Sequence, residues 1–209
     1  MSVQSFDEFY RGHTNLYGLA PMGQLVHYMQ TYSVRGPGLA LDLGCGQGRN
    51  AFHLARCGYD VTAVDCSGVA IAQLRQHAAD EKLSIQGVHG DIAQFPIQPF
   101  AYRLIVANTS LDHLAKDDGL RMAQAMVAGL APGGYLYAAV FLDDDPGCSH
   151  LGSASETAGH IRHYYRSGEL RETFEGLTLL SYQEEWALDL SHGEPHYHST
   201  AFLFARHDD

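Results

Sequence analysis

Gly44, Gly46 and Gly48 stand between a short apolar run, Leu39–Leu43, and a helical segment that begins at Arg49. Asp65 closes a second strand about twenty residues after the turn. A glycine-rich turn lets the backbone approach a ligand closely, and an acid at that later position is placed to hold a ribose diol. The chemistry is nucleoside binding. The spacing G-x-G-x-G departs from the dinucleotide pattern G-x-G-x-x-G and has no fit to the P-loop. Asp42 adds an acid inside the first strand, either as part of the ligand site or as a buried strand acid bonded to turn N–H groups.

Other residues invite chemistry of a different kind. His113, in Ser110-Leu111-Asp112-His113, is the best-placed general base near neutral pH, with Asp112 a candidate to orient it. The chain has 13 histidines, with His192, His196 and His198 close together near the end and His150, His160 and His163 earlier. His196 and His198 share one face of a strand, a usable metal-ligand spacing. No H-x-x-x-H helix or cysteine pair accompanies them, so no metal is assigned and these histidines are read as polar residues around a substrate mouth. Cys148, in Asp145-Pro146-Gly147-Cys148, is the one cysteine outside the regular elements and a candidate substrate contact.

The elements that position these residues alternate. Strands are expected at 39–43, 60–65, 84–89, 102–108 and 135–142, and helices at 49–57, 68–82 and 116–130. Gly58 ends the first helix in a left-handed cap, Ser67 caps the second, and Pro132-Gly133-Gly134 stops the third. Residues 143–159 read as a polar loop, 167–174 as a short helix, and 177–188 with 197–206 as a closing antiparallel pair. Alternating strand and helix followed by a hairpin gives a doubly wound, Rossmann-like α/β sheet of seven strands, mostly parallel, with one antiparallel strand inserted. Such sheets bind ligands beyond the carboxyl ends of their strands. The glycine turn, Asp65, Asp91 and 107–110 all fall there.

With 209 residues and 45% hydrophobic content, the chain fits a single domain, 1–209. Its formal charge is −11, and neither Lys82, Lys116 nor the scattered arginines form the basic cluster that a polyanion requires, so nucleic acid is not expected as a partner. No apolar run spans a membrane, and the start has neither a basic nor an apolar signal region. Cys45, Cys57, Cys66 and Cys148 make no C-x-x-C pair, consistent with a reducing compartment, and a cytoplasmic location is expected.

Leu41-Asp42-Leu43-Gly44-Cys45-Gly46-Gln47-Gly48 resembles motif I of the class I S-adenosylmethionine-dependent methyltransferases, and Asp65 and Gly90-Asp91-Ile92 follow in their places. Within that superfamily, Asp42 to Asn50 followed by Gly58-Tyr59-Asp60-Val61 is similar to the tellurite-resistance type of small-molecule methyltransferase. Glu169-Leu170-Arg171, Trp186, Leu188, His192 and the last strand resemble its ending. The resemblance implies S-adenosyl-L-methionine as cofactor and a small-molecule methyl acceptor, with a soft sulfur, selenium or tellurium nucleophile among the candidates. A sensor or regulatory protein of the same fold is the alternative.

The resemblance also implies roles for particular residues. Gly44 and Gly46 would lie under the methionine part, Asp65 would take both ribose hydroxyls, and Asp91 would accept from the adenine amino group. Ile92 would supply an apolar wall and Ala107 a carbonyl for the amino-acid end, with Asp42, Cys45, Gly48, Asn50, Cys66 and Asn108 completing the cofactor set. A helical segment at 1–36 is expected over the cofactor, and a loop at 143–163 near the acceptor mouth with Cys148, His192, His196 and His198. One departure bears on substrate. The family brings basic residues to this hairpin, whereas no Lys or Arg occurs here between Arg171 and Arg206.

Overall fold

The computed structural model describes residues 5–149, 158–190 and 194–208. In chain order its strands are β1 (Leu39–Leu43), β2 (Asp60–Asp65), β3 (Ile85–His89), β4 (Tyr102–Asn108), β5 (Leu130–Phe141), β6 (Thr178–Asp189) and β7 (His196–Arg206). The α-helices are α1 (Phe6–Arg11), α2 (Gly23–Thr31), α3 (Arg49–Arg56), α4 (Gly68–Glu81), α5 (Lys116–Gly129), α6 (Pro146–Ser149) and α7 (Glu169–Thr173). The strands form one sheet in the order β3-β2-β1-β4-β5-β7-β6. The first five run parallel, and β7 lies antiparallel between β5 and β6.

Both faces of the sheet are covered, which is why its central strands read as nearly continuous apolar runs. Along β4, Leu104 and Val106 pack on one side with Leu25 of α2, Leu54 of α3 and Leu74 of α4. Ile105 and Ala107 pack on the other with Met122 and Met126 of α5 and Leu170 of α7. The period-two alternation of a strand thus assigns each residue to one helical layer.

Two expectations about local structure are corrected. Helix α5 ends at Gly129, and Pro132-Gly133-Gly134 lies inside β5 rather than between elements. The pairing steps from Tyr102 opposite Leu130 to Leu104 opposite Tyr135, so the intervening residues bulge out of the ladder. Pro132 has no N–H to give to a ladder, and Gly133 adopts φ +68° there. The polar stretch at 143–159 also carries the one-turn helix α6, because Asp145 Oδ1 accepts from Gly147 N at 2.7 Å. Residues 158–160 form a single 3₁₀ turn.

Residues 5–24 cross the glycine turn as a strap held by side chains of the turn itself. Gln47 Nε2 donates to His13 O at 2.6 Å while its Oε1 accepts from Leu16 N at 2.7 Å. Asn50 Oδ1 accepts from Met22 N at 2.9 Å, and Arg49 donates to Tyr17 O at 3.2 Å. At the near end, Asp7 accepts from Ser67 Oγ (2.6 Å) and Val69 N (3.2 Å), while Ser67 Oγ in turn accepts from Ala70 N and caps α4. If these bonds hold the strap, Gln47→Ala should raise amide exchange at Leu16, and Asn50→Ala at Met22, by about 2- to 10-fold, the weight of one net hydrogen bond. Hydrogen-exchange mass spectrometry reads both segments, and unchanged protection would mean that apolar packing alone holds the strap.

Asp42 points its carboxyl into the α3 layer. It is 1% exposed, and one of its oxygens, Oδ2, meets no hydrogen-bond partner among the described residues. Burial raises this group to about 7, against the Ala51 N–H that bonds it. The folded chain therefore keeps a proton that the unfolded chain releases above about pH 4, and stability falls as pH rises through that window toward 7. In the ligand-free protein the melting temperature should drop between pH 5 and 8 by several degrees more than in Asp42→Asn. Parallel pH profiles in the two proteins would show that Asp42 is already ionised in the fold.

Candidate active site

A cavity of about 620 Å³ opens at the carboxyl ends of β1 to β4 beneath the strap, within the size range of small-molecule sites. Its floor is the glycine turn. Gly44 and Gly46 adopt φ +69° and +53°, and a Cβ on Gly44 would stand 2.4 Å from Ser110 Cβ. The turn therefore closes against the end of β4 only because that side chain is missing. Gly44 N and Cys45 N both donate to Val64 O, at 2.8 and 3.0 Å, which ties the turn to β2.

Asp65 organises the middle of the site. It is 7% exposed, and its Oδ2 accepts from Gly46 N while its Oδ1 accepts from Ser67 N, each at 2.8 Å. Burial pushes its carboxyl upward, and the two N–H bonds and the nearby His113 partly offset that. A carboxylate offers about four lone-pair sites, so one on each oxygen is left over for a ligand. Asp91, an exposed residue on the cavity wall, accepts from Ala93 N on Oδ1 at 2.9 Å and keeps its second oxygen. Ser110 Oγ is buried at the turn with no hydrogen-bond partner among the described residues. Spare acceptors on Asp65 and Asp91, apolar Ile92 and an unpaired hydroxyl fit a nucleoside with a polar tail.

Gly44, Cys45, Gly46, Asn50, Asp65, Cys66, Asp91, Ile92 and Asn108 line this cavity, as do His113 and His198. Asp42, Gly48, Ala107, Cys148 and His196 do not. A Cβ on Gly48 would meet Leu74 at 2.7 Å, so that glycine serves helix packing. Ala107 is fully buried in β4, and Asp42 lies behind the turn. Asn50 lines the wall but its carbonyl holds the strap, and Asn108 accepts from the Tyr137 hydroxyl at 3.2 Å. Cys45 stays a thiol, since burial raises it far above its ordinary value. Cys148 sits in α6, half-buried, and His192 lies outside the described residues.

The rest of the cavity lining draws on both terminal segments. His113 stands in a 3₁₀ turn, Leu111–His113, with its ring edge-on to Phe6 at 5.3 Å and Nδ1 3.3 Å from His160 O. Asp112 does not orient it through a hydrogen bond. It is fully buried and accepts from Phe141 N at 3.1 Å. Burial raises this carboxyl too. Phe141, Leu188 and Phe202 supply apolar surface, and Glu185 and Asp189 add carboxylates. Sequence reasoning missed these acids and the strap residues Phe6, Tyr10, Tyr17 and Met22. The alternation along β6 carried the one available signal, since 185, 187 and 189 share a face.

Residues 40–134 match the model of a methyltransferase domain. The chain is similar to the probable S-adenosyl-L-methionine-dependent methyltransferase TehB of Haemophilus influenzae, with 33% identity over 150 residues covering 71% of this chain and 52% of that protein. It is similar to hemagglutinin 1 of Eikenella corrodens at 33% over 161 residues, covering 75% of this chain and 48% of that one. The chain thus spans about half the length of these relatives. The crystal structure of the Haemophilus influenzae TehB superposes with a TM-score of 0.76 at 26% identity, covering 97% of this chain and 66% of that one. The glycine turn, the strand order and these similarities agree: residues 40–134 form a methyltransferase domain, and the chain is built on the fold of the class I S-adenosylmethionine-dependent methyltransferases.

Proposed function

We propose that this chain transfers a methyl group from S-adenosylmethionine to a small, uncharged acceptor, with a soft sulfur, selenium or tellurium nucleophile as the preferred class. The observation that carries the acceptor's charge is the lining of the cavity's far end. There, Phe6, Phe141 and Phe202 stand with His113, His198, Glu185 and Asp189, and Arg49, at the glycine turn, is the one Lys or Arg among the described lining residues. Its guanidinium donates to Tyr17 O. With no Lys or Arg facing these two carboxylates, an oxyanion meets no counter-charge from the protein's own side chains.

Under this reading Asp65 receives the ribose hydroxyls on its spare lone pairs and Asp91 the adenine amino group, while Ile92 flanks the base. Gly44, Cys45, Gly46 and Asn108 surround the methionine end. When bound, the sulfonium would supply an electrophilic methyl group, its sulfur taking the electron pair of the broken C–S bond and losing its positive charge. The protein's part is alignment and exclusion of water. The strap covers the turn, and Phe6 packs on His113 at the acceptor end. If Nδ1 of His113 donates to His160 O, its Nε2 keeps a lone pair for the proton of an acceptor that must lose one.

Methyl transfer from radiolabelled S-adenosylmethionine to a panel of neutral thiols and selenols, alongside tellurite and selenite, tests this reading. Neutral acceptors should be methylated with the higher kcat/KM. Preference for the oxyanions would overturn the argument from charge. His113→Ala should lower turnover on acceptors that must be deprotonated by a factor on the order of 10² to 10⁴ while leaving S-adenosylhomocysteine affinity near that of the parent. Asp65→Ala should weaken S-adenosylhomocysteine by roughly 30- to 1000-fold in calorimetry, the loss of two charge-assisted bonds. Parent-like affinity in a folded Asp65→Ala protein would remove Asp65 from the cofactor site.

A further inference from the structure

His196 and His198 lie on one face of β7, and their Nε2 atoms are 3.0 Å apart. The opposite nitrogen of each ring is committed. Nδ1 of His196 is 2.7 Å from Glu194 O, and a carbonyl can only accept, so that nitrogen carries the hydrogen. Nδ1 of His198 is 2.9 Å from Asp145 Oδ2 and donates to it in the same way. Asp145 is 3% exposed and is itself fixed by Ser199 N on Oδ2 and Gly147 N on Oδ1. Phe141 stacks on the His198 ring at 4.4 Å. Two neutral imidazoles oriented like this present lone pairs to each other. Such a contact requires a positive centre between or beside them.

The third group is a carboxylate. Asp189, at the end of the neighbouring β6 and opposite His196 in the ladder, brings a carboxylate oxygen within 4.8 Å of a ring nitrogen of each histidine. We propose that Asp189, His196 and His198 hold a divalent transition-metal ion at the acceptor end of the cavity. The donor set, two imidazoles and one carboxylate, suits zinc, iron, cobalt or nickel rather than calcium or magnesium. Two nitrogens each about 2.1 Å from one ion stand about 3.0 Å apart at a right angle and about 3.4 Å apart at the tetrahedral angle, so the observed spacing favours adjacent positions of a five- or six-coordinate ion. Asp145 behind His198 and the Glu194 carbonyl behind His196 are the outer partners that fix ring tautomer and orientation in metal sites.

Asp189 and His198 also line the cavity, so the ion would stand at its wall. Asp189 and Glu185, which line the same cavity, together balance the two charges of the ion, so this end gains no net positive charge that would favour an oxyanion. The ion's presence does not depend on which acceptor is methylated, nor on methyl transfer at all.

Titration of the chelator-treated protein with Co(II), followed by its visible absorption, and with Zn(II) in competition, reads the site directly. The parent should bind about one equivalent of Co(II) with nitrogen-ligand absorption bands that Zn(II) abolishes. His196→Gln and His198→Gln should each weaken binding at least about 10-fold, and Asp145→Asn, which touches no ion, by about 10- to 100-fold through loss of orientation. Asp189→Asn, on a partly exposed strand end, should weaken it as well and serves where a buried variant fails to fold by circular dichroism. Calorimetry with S-adenosylhomocysteine on the same samples reports the cofactor site separately. A parent that binds S-adenosylhomocysteine but neither metal would overturn the proposal, leaving the two rings to share a proton. So would metal binding that survives Asp189→Asn and the histidine variants.

Discussion

The carboxylate of Asp65 joins three parts of the structure that would otherwise meet only through apolar packing. It ends β2, accepts Gly46 N from the turn after β1, and accepts Ser67 N at the head of α4. Its 7% exposure makes those bonds costly to replace by water. Ser67, held in this way, caps α4 and donates to Asp7 of α1, so the strap inherits its position from the same carboxylate. Gly46 meets the strap from the other side, since a Cβ there would stand 2.8 Å from the Tyr10 hydroxyl. An acid at that place both builds the pocket and faces into it.

Much of this arrangement was legible in the sequence because it is local. The run Leu39–Leu43, the glycines, the helix after them and Asp65 fall within one βαβ unit, where turn chemistry and period determine the geometry. Ser67 as a cap, Gly58 as a helix stop and β4 from Tyr102 to Asn108 were equally readable. The strap was not, beyond the presence of a helical segment. Gln47 and Asn50 look like ordinary polar residues of a glycine loop, and their partners lie about thirty residues upstream. Pro132-Gly133-Gly134 misled in the opposite sense, since breakers in a row mark a bulge inside a strand as readily as a boundary between elements.

The proposed acceptor end was the least legible because its members come from segments far apart in the chain. Asp145 reads as one of three consecutive acids in a polar loop, yet it is the buried one that orients His198. Asp189 is brought beside His196 by strand pairing alone. Among the described residues no helix is long and apolar enough to cross a membrane, and β5 and β6 end on the same edge of the sheet as β1 and its glycine turn. The methyltransferase frame is shared with the relatives. The lining at this end is acidic, aromatic and imidazole-rich, and Arg49 at the glycine turn is the one Lys or Arg among the described lining residues.

A crystal structure of the protein with S-adenosylhomocysteine tests the account at its centre. Both ribose hydroxyls should lie on the Asp65 carboxylate with its bonds to Gly46 and Ser67 intact, and the cofactor sulfur should be directed toward His113 and Phe141. A nucleoside seated elsewhere, or an Asp65 that turns away from the ribose while still holding the glycine turn, would contradict it.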